Sequence, residues 1–161
     1  MEIRFKSTGQ VMYEGELRSY LAANNGPSYD QLTPEVMEAI GVDPVLEGPQ
    51  ATTTPPYQYS QRSGVEQIDG QWFTKYIAGP VFVDGETTAA EQETAYKAQK
   101  DTEQAKSARD SRNTKLSECD WTQVADAPVD KTVWATYRQA LRDITAQSGF
   151  PWTIDWPTMP Q

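Results

Sequence analysis

Val65-Glu66-Gln67-Ile68-Asp69-Gly70-Gln71-Trp72-Phe73-Thr74-Lys75-Tyr76-Ile77 sets two strand-like runs on either side of an Asp-Gly pair. A two-residue Asp-Gly connection favours a type I′ turn. Its backbone twist matches that of paired antiparallel strands. The register follows from the turn: Gln67 stands opposite Trp72, and Val65 opposite Thr74. Val65, Trp72 and Tyr76 then share a face. The sequence predicts a β-hairpin over 61–83. A lone hairpin is marginal in water. This one has to pack on the preceding residues, on oligomer mates or on another protein.

Upstream, residues 1–46 read as a small mixed unit. Ile3 and Phe5 alternate with Arg4 and Lys6, the period of a strand. Ser7-Thr8-Gly9 reads as a turn, and Val11 and Tyr13 as a second strand. Leu17, Tyr20 and Leu21 follow at helical spacing, until Asn24-Asn25-Gly26-Pro27 stops the helix. A second helix is marked by Thr33 as N-cap, Pro34 at its first position and Gly41 past its end. Val36, Met37 and Ile40 form its apolar face. Residues 47–60 contain Gly48-Pro49, Thr52-Thr53-Thr54 and Pro55-Pro56, with little to bury. They read as a stiff strap resting on a neighbour through Tyr57 and Tyr59.

Downstream, residues 86–117 lack Pro and Gly and are rich in Ala, Glu, Gln and Lys. They predict one helix, roughly 45 Å long at about 1.5 Å per residue. Its best seam is Ala98, Thr102, Ala105, Arg109, Arg112 and Leu116. Three readings stay open: a solvated connector, a weak parallel coiled coil, and a helix packed on a partner. Alanine and charge in the seam make a poor knobs-into-holes core, so self-association to a homo-oligomer should be weak.

In the C-terminal residues, Asp126-Ala127-Pro128-Val129-Asp130 is a turn leading into a helix near Thr132. Trp134, Tyr137, Leu141 and Ile144 follow at steps of three, four and three. That amphipathic stripe is expected to form the helix's inner face. Arg138 and Arg142 fall four apart on a neighbouring face. Gly149 suits the helix end. Phe150-Pro151-Trp152-Thr153-Ile154-Asp155-Trp156-Pro157 alternates rings with prolines and should be extended. Its tryptophans suit two roles, packing within the module or lying in a partner's groove. If the second holds, removing residues 150–161 should leave the fold intact and abolish binding. The fold class is therefore α+β. It comprises a small mixed N-terminal unit and β-hairpin (1–83), a long connecting helix (84–117) and a small helix-plus-extended-tail module (118–161).

Composition narrows the function. The 161 residues carry a net charge of −9, one cysteine and no histidine. Binding duplex nucleic acid needs basic residues to replace phosphate counterions, so a nucleic-acid partner is not expected. No apolar run approaches the roughly 20 residues of a membrane span, and Met1 to Lys6 alternates rather than forming a signal peptide's apolar core. The chain is expected in the cytoplasm. Without histidine, and with Cys119 as the one thiol, no transition-metal site and no other cofactor is expected. The commonest general base is missing too. Asp120, Asp126 and Asp130 offer spaced carboxylates, yet such residues also serve turns and caps. No catalytic residue is assigned. Cys119 is expected to be reduced and packed beside Trp121.

The ordered set Cys119-Asp120-Trp121-Thr122-Gln123, Asp126-Ala127-Pro128, Trp134 to Ile144 and Phe150 to Pro157 resembles the phage tail assembly chaperone family. Related tail-fibre assembly proteins carry a similar W-x-x-Y-R-x-x-L helix and closing I-x-W-P segment. The resemblance covers residues 116–161. It implies a non-enzymatic bacteriophage protein that binds a tail or tail-fibre protein as an assembly chaperone, in the host cytoplasm during assembly. A structural component of the virion's baseplate or tail fibre is the alternative. Trp152, Ile154, Trp156, Arg138 and Arg142 are the candidate partner-binding residues.

Overall fold

The computed structural model describes residues 1–160 and is α+β. The chain divides into two compact units, Met1–Val81 and Phe82–Gln161.

Unit 1 is a five-stranded mixed sheet with two helices. In chain order its elements are β1 (Glu2–Phe5), β2 (Val11–Tyr13), α1 (Glu14–Ala23), α2 (Pro34–Ile40), β3 (Val42–Leu46), β4 (Tyr59–Ile68) and β5 (Gln71–Gly79). The strand order is β2-β1-β3-β5-β4. β1 runs antiparallel to β2 and β3, β3 parallel to β5, and β5 antiparallel to β4. The helix signals in the sequence act as expected. Thr33 caps α2 by accepting a hydrogen bond from the Val36 N–H, Pro34 opens it, and Gly41 follows in the left-handed region. Ile3, Phe5, Met12, Leu17, Leu21 and Val42 form the core, with Tyr29, Leu32, Met37 and Ile40 packed against it. On the ladder face opposite Ile3 and Phe5, the Arg4 guanidinium lies 3.8 Å from the Trp72 ring centre. Arg62 pairs with Glu2 beside it.

The hairpin has the expected turn and register. Asp69 and Gly70 have φ of 47° and 82°. Gln67 faces Trp72 and Val65 faces Thr74. Its packing partner is β3 of the same unit. The strands run further back than the sequence suggests. β4 begins at Tyr59, taking the last two residues read as strap, and the pairing continues past an irregularity between Arg62 and Val65. The strap itself is tied to its own hairpin: the Ala51 N–H donates to Ser60 Oγ at 3.0 Å, and the Tyr76 hydroxyl donates to Glu47 at 2.7 Å.

Gly70 tests the turn. A β-branched residue at a φ of 82° puts its Cβ against the backbone. Gly70→Val is expected to cost about 1–2 kcal/mol and to lower the melting temperature of unit 1 by roughly 5–15 °C. Unchanged thermal unfolding followed by circular dichroism would reject the turn.

β3 has no counterpart in the sequence reading, and Pro44 explains why. A proline inside a five-residue run argues against a central strand, because it cannot donate to a ladder. Here the missing N–H costs little. The Lys6 N–H donates to the Gly41 carbonyl at 2.9 Å. With the register Arg4↔Asp43 and Glu2↔Val45, this places Ile3↔Pro44 in the non-hydrogen-bonded set of the antiparallel ladder. The proline nitrogen therefore faces away from β1, towards the side where pairing with β5 begins only at Val45.

Unit 2 is helical. α3 spans Ala89–Glu118, starting at a Thr88 cap that forms a capping box with Glu91. A short 3-10 turn, Asp120–Gln123, leads into the loop before α4 (Lys131–Arg142). Asp130 caps α4, accepting from the N–H groups of Thr132 and Val133 at 2.9 and 3.2 Å. A second 3-10 turn, Asp143–Ala146, follows directly. The expected inner face is the observed one: Trp134, Tyr137, Leu141 and Ile144 are all buried. Three of them join buried Cys119 in one cluster, against which Leu116, Val129 and Trp156 pack. Cys119 is a free, buried thiol, as its packing role implies.

One local expectation is corrected. α4 ends at Arg142, so Gly149 is not its cap. Gly149 is instead the point of close approach in the following turn, where a Cβ would run into the Thr153 carbonyl oxygen. The long helix falls in the same compact unit as the residues that follow. Ala105 and Ala108 are its buried positions, so only part of the seam read from sequence is used.

Candidate partner-binding surface

The residues singled out in sequence sit in three different environments. Arg138 is buried. Its Nη1 donates to the Leu116 carbonyl at 2.8 Å and to Cys119 Sγ at 2.9 Å, and its Nη2 to Asp120 at 2.8 Å. Nε is buried with no hydrogen-bond partner among the described residues. Burial works against the guanidinium's charge, but the bonds to Asp120 and Cys119 outweigh it and raise the pKa above its ordinary value. Arg138 thus holds the last turn of α3 against α4, and its charge is spent inside the unit. Arg142, four residues on, is exposed.

Trp152, Ile154 and Trp156 are half-buried. The Trp152 indole N–H donates to Asp101 of α3 at 2.6 Å. Trp156 packs on the Cys119 cluster, and the Lys115 ammonium lies 5.6 Å from its ring centre. Arg109 lies 5.4 Å from the Phe150 ring centre. Gln147 anchors the segment by two 2.8 Å bonds, accepting from the Asp155 N–H and donating to the Asp155 carbonyl. The tail is laid back along α3 as part of the unit's packing.

An open apolar surface lies elsewhere, around the start of α4. Glu118, Trp121, Pro128, Val129, Asp130, Val133, Trp134, Met159 and Pro160 line a groove of about 720 Å³. Trp121, Val133 and Met159 are 51%, 47% and 56% exposed. Ring contacts join the first of them to the helix. Trp121 meets Trp134 edge-on at a centroid distance of 5.9 Å, and Trp134 meets Tyr137 at 5.8 Å and 89°. The groove's floor is therefore continuous with the unit's core. Sequence reasoning passed over this site. Its signal was Val133, an apolar residue beside the inner stripe with nothing in the helix to bury it.

Among the described residues, no helix is long and apolar enough to cross a membrane, and no cluster of metal-ligating side chains is present. No curated protein and no solved structure matches the chain. Residues 105–161, beginning at the first buried position of α3, match the family model described as phage tail assembly chaperone protein, which ties this C-terminal segment to phage tail assembly.

Proposed function

We propose that the chain is a non-enzymatic helper in bacteriophage tail assembly, binding a tail or tail-fibre protein through unit 2 in the host cytoplasm before the particle is complete. The observation that carries this reading is the groove. Within the segment matched by the tail assembly family, the Trp121 ring, Val133 and Met159 stand open to solvent around one concavity. A monomer rarely leaves such side chains gathered and uncovered unless something binds there. In this reading Arg138, Trp152, Ile154 and Trp156 shape and hold the unit. Arg142 is the most open of the five and is the one that offers its side chain to a partner.

Pairwise co-expression of the tagged chain with each tail and tail-fibre protein of the same phage tests the reading. A defined complex with one of them on size-exclusion chromatography is the expected result. Failure to form a complex with any would overturn it. Mass spectrometry of purified virions is expected to find the chain absent. Its presence at fixed stoichiometry would move it to the structural components of the tail.

A further inference from the structure

We propose that the groove of unit 2 takes an apolar protein segment flanked by basic side chains. This rests on the tail-binding reading above and names the chemistry of the segment recognised. The floor and walls are Trp121, Val129, Val133, Trp134 and Met159. Trp121 makes an edge contact with Trp134 that restricts the ring. Restricted aromatic rings of this kind are the usual anchors of protein interfaces, because little entropy is lost on docking.

The rim supplies the charge preference. Glu118 and Asp130 line the groove, and none of the described lining residues is basic. The basic side chains nearest in sequence are turned to other tasks, the Lys115 ammonium lying 5.6 Å from the Trp156 ring centre. Arg138 is buried against Asp120 and the Leu116 carbonyl. Lys131 donates to the carbonyls of Thr122 and Val124. Asp130 stands at the start of α4, where its side chain accepts from the Thr132 N–H. The rim is thus acidic, on a chain whose net charge is −9. Complementary charge steers encounter and fixes register, and like charge opposes it. The same argument disfavours a second copy of this acidic chain as the occupant.

The test uses the full chain and two fluorescent 16-residue peptides with identical leucine and phenylalanine positions. One carries lysines between them and the other glutamates. Anisotropy is expected to show the lysine peptide binding at least tenfold more tightly, with the difference shrinking at high salt. Two exposed positions separate the contributions. Val133→Ser should weaken the lysine peptide severalfold. Glu118→Lys, at the last residue of α3 where a cation is well tolerated, should erase most of the preference. Circular dichroism checks that both variants fold. No binding, no preference, or a preference untouched by Glu118→Lys overturns the proposal. So does a dimer in sedimentation that Val133→Ser dissociates, since the groove would then hold a second copy. The variants also separate this inference from the one beneath it. A tail protein that binds wild-type chain and both variants equally overturns the groove and leaves tail binding standing. A lysine preference with no tail protein bound supports the groove's chemistry and removes the tail reading.

Discussion

Leu141→Ala is expected to remove roughly 2–5 kcal/mol from unit 2, the range for leucines truncated in a packed interior. Leu141 is 0% exposed, in a cluster with Cys119, Trp134 and Tyr137. The cavity would open between α4 and the end of α3, where Arg138 bonds across. A unit of this size has only about 5–15 kcal/mol of stability in total, so the loss is a large share. Urea unfolding followed by tryptophan fluorescence reads it directly. Trp121, Trp134, Trp152 and Trp156 lie in unit 2 and Trp72 in unit 1, so the signal is dominated by the unit that changes. Val133→Ala is the comparison. Val133 is on the same helix but 47% exposed, and its loss should cost under about 1 kcal/mol. Equal midpoint shifts for the two variants would show that the apolar stripe does not face the core.

Elements specified by their own neighbours were readable. Asp69-Gly70 determines a turn and hence a register, because only a few backbone conformations fit that pair. Thr33, Pro34 and Gly41 mark both ends of α2 by hydrogen-bonding chemistry local to each end. The stripe from Trp134 to Ile144 declares its inner face by period alone. β3 was not readable, because its strand character comes from β1 on one side and β5 on the other. Nothing within Val42 to Leu46 announces two partners so far away in sequence, and Pro44 argues against them.

The same limit explains the site. Arg138 and Arg142 lie four apart, and periodicity treats them as equivalent. They are not, because the end of α3 covers one and leaves the other in solvent. The long helix was recognisable from its composition, but its packed side was not. Ala98, Ala105 and Ala108 look alike in sequence, yet Ala98 is exposed and the other two are buried. The open groove was missed for the converse reason. Trp121 looks like a core residue, and only the assembled unit shows its ring about half exposed beside Val133.

Removal of residues 150–161 is therefore expected to destabilise unit 2 rather than merely strip it of a contact surface. Three half-buried side chains, Trp152, Ile154 and Trp156, would leave. At about half the value of full burial each, this comes to roughly 2–5 kcal/mol. The truncation also deletes the Trp152 bond to Asp101 and the Asp155 bonds to Gln147. It uncovers the Cys119 cluster where Trp156 packs, and takes Met159 and Pro160 from the groove wall. Circular dichroism should show reduced helix signal and a lower, broader unfolding transition. Trp152→Phe makes the finer comparison, because it keeps an aromatic ring while removing the indole N–H donor and part of the ring's packing surface. It should cost about 1.5 kcal/mol, the low end for a hydrogen bond to a charged group. A truncated chain that unfolds like the full one and no longer binds the proposed partner would return the tail to the role of an external anchor. Loss of stability and binding together would instead make the tail a strut: its rings brace α3 and α4, and the partner is met at the groove those helices hold open.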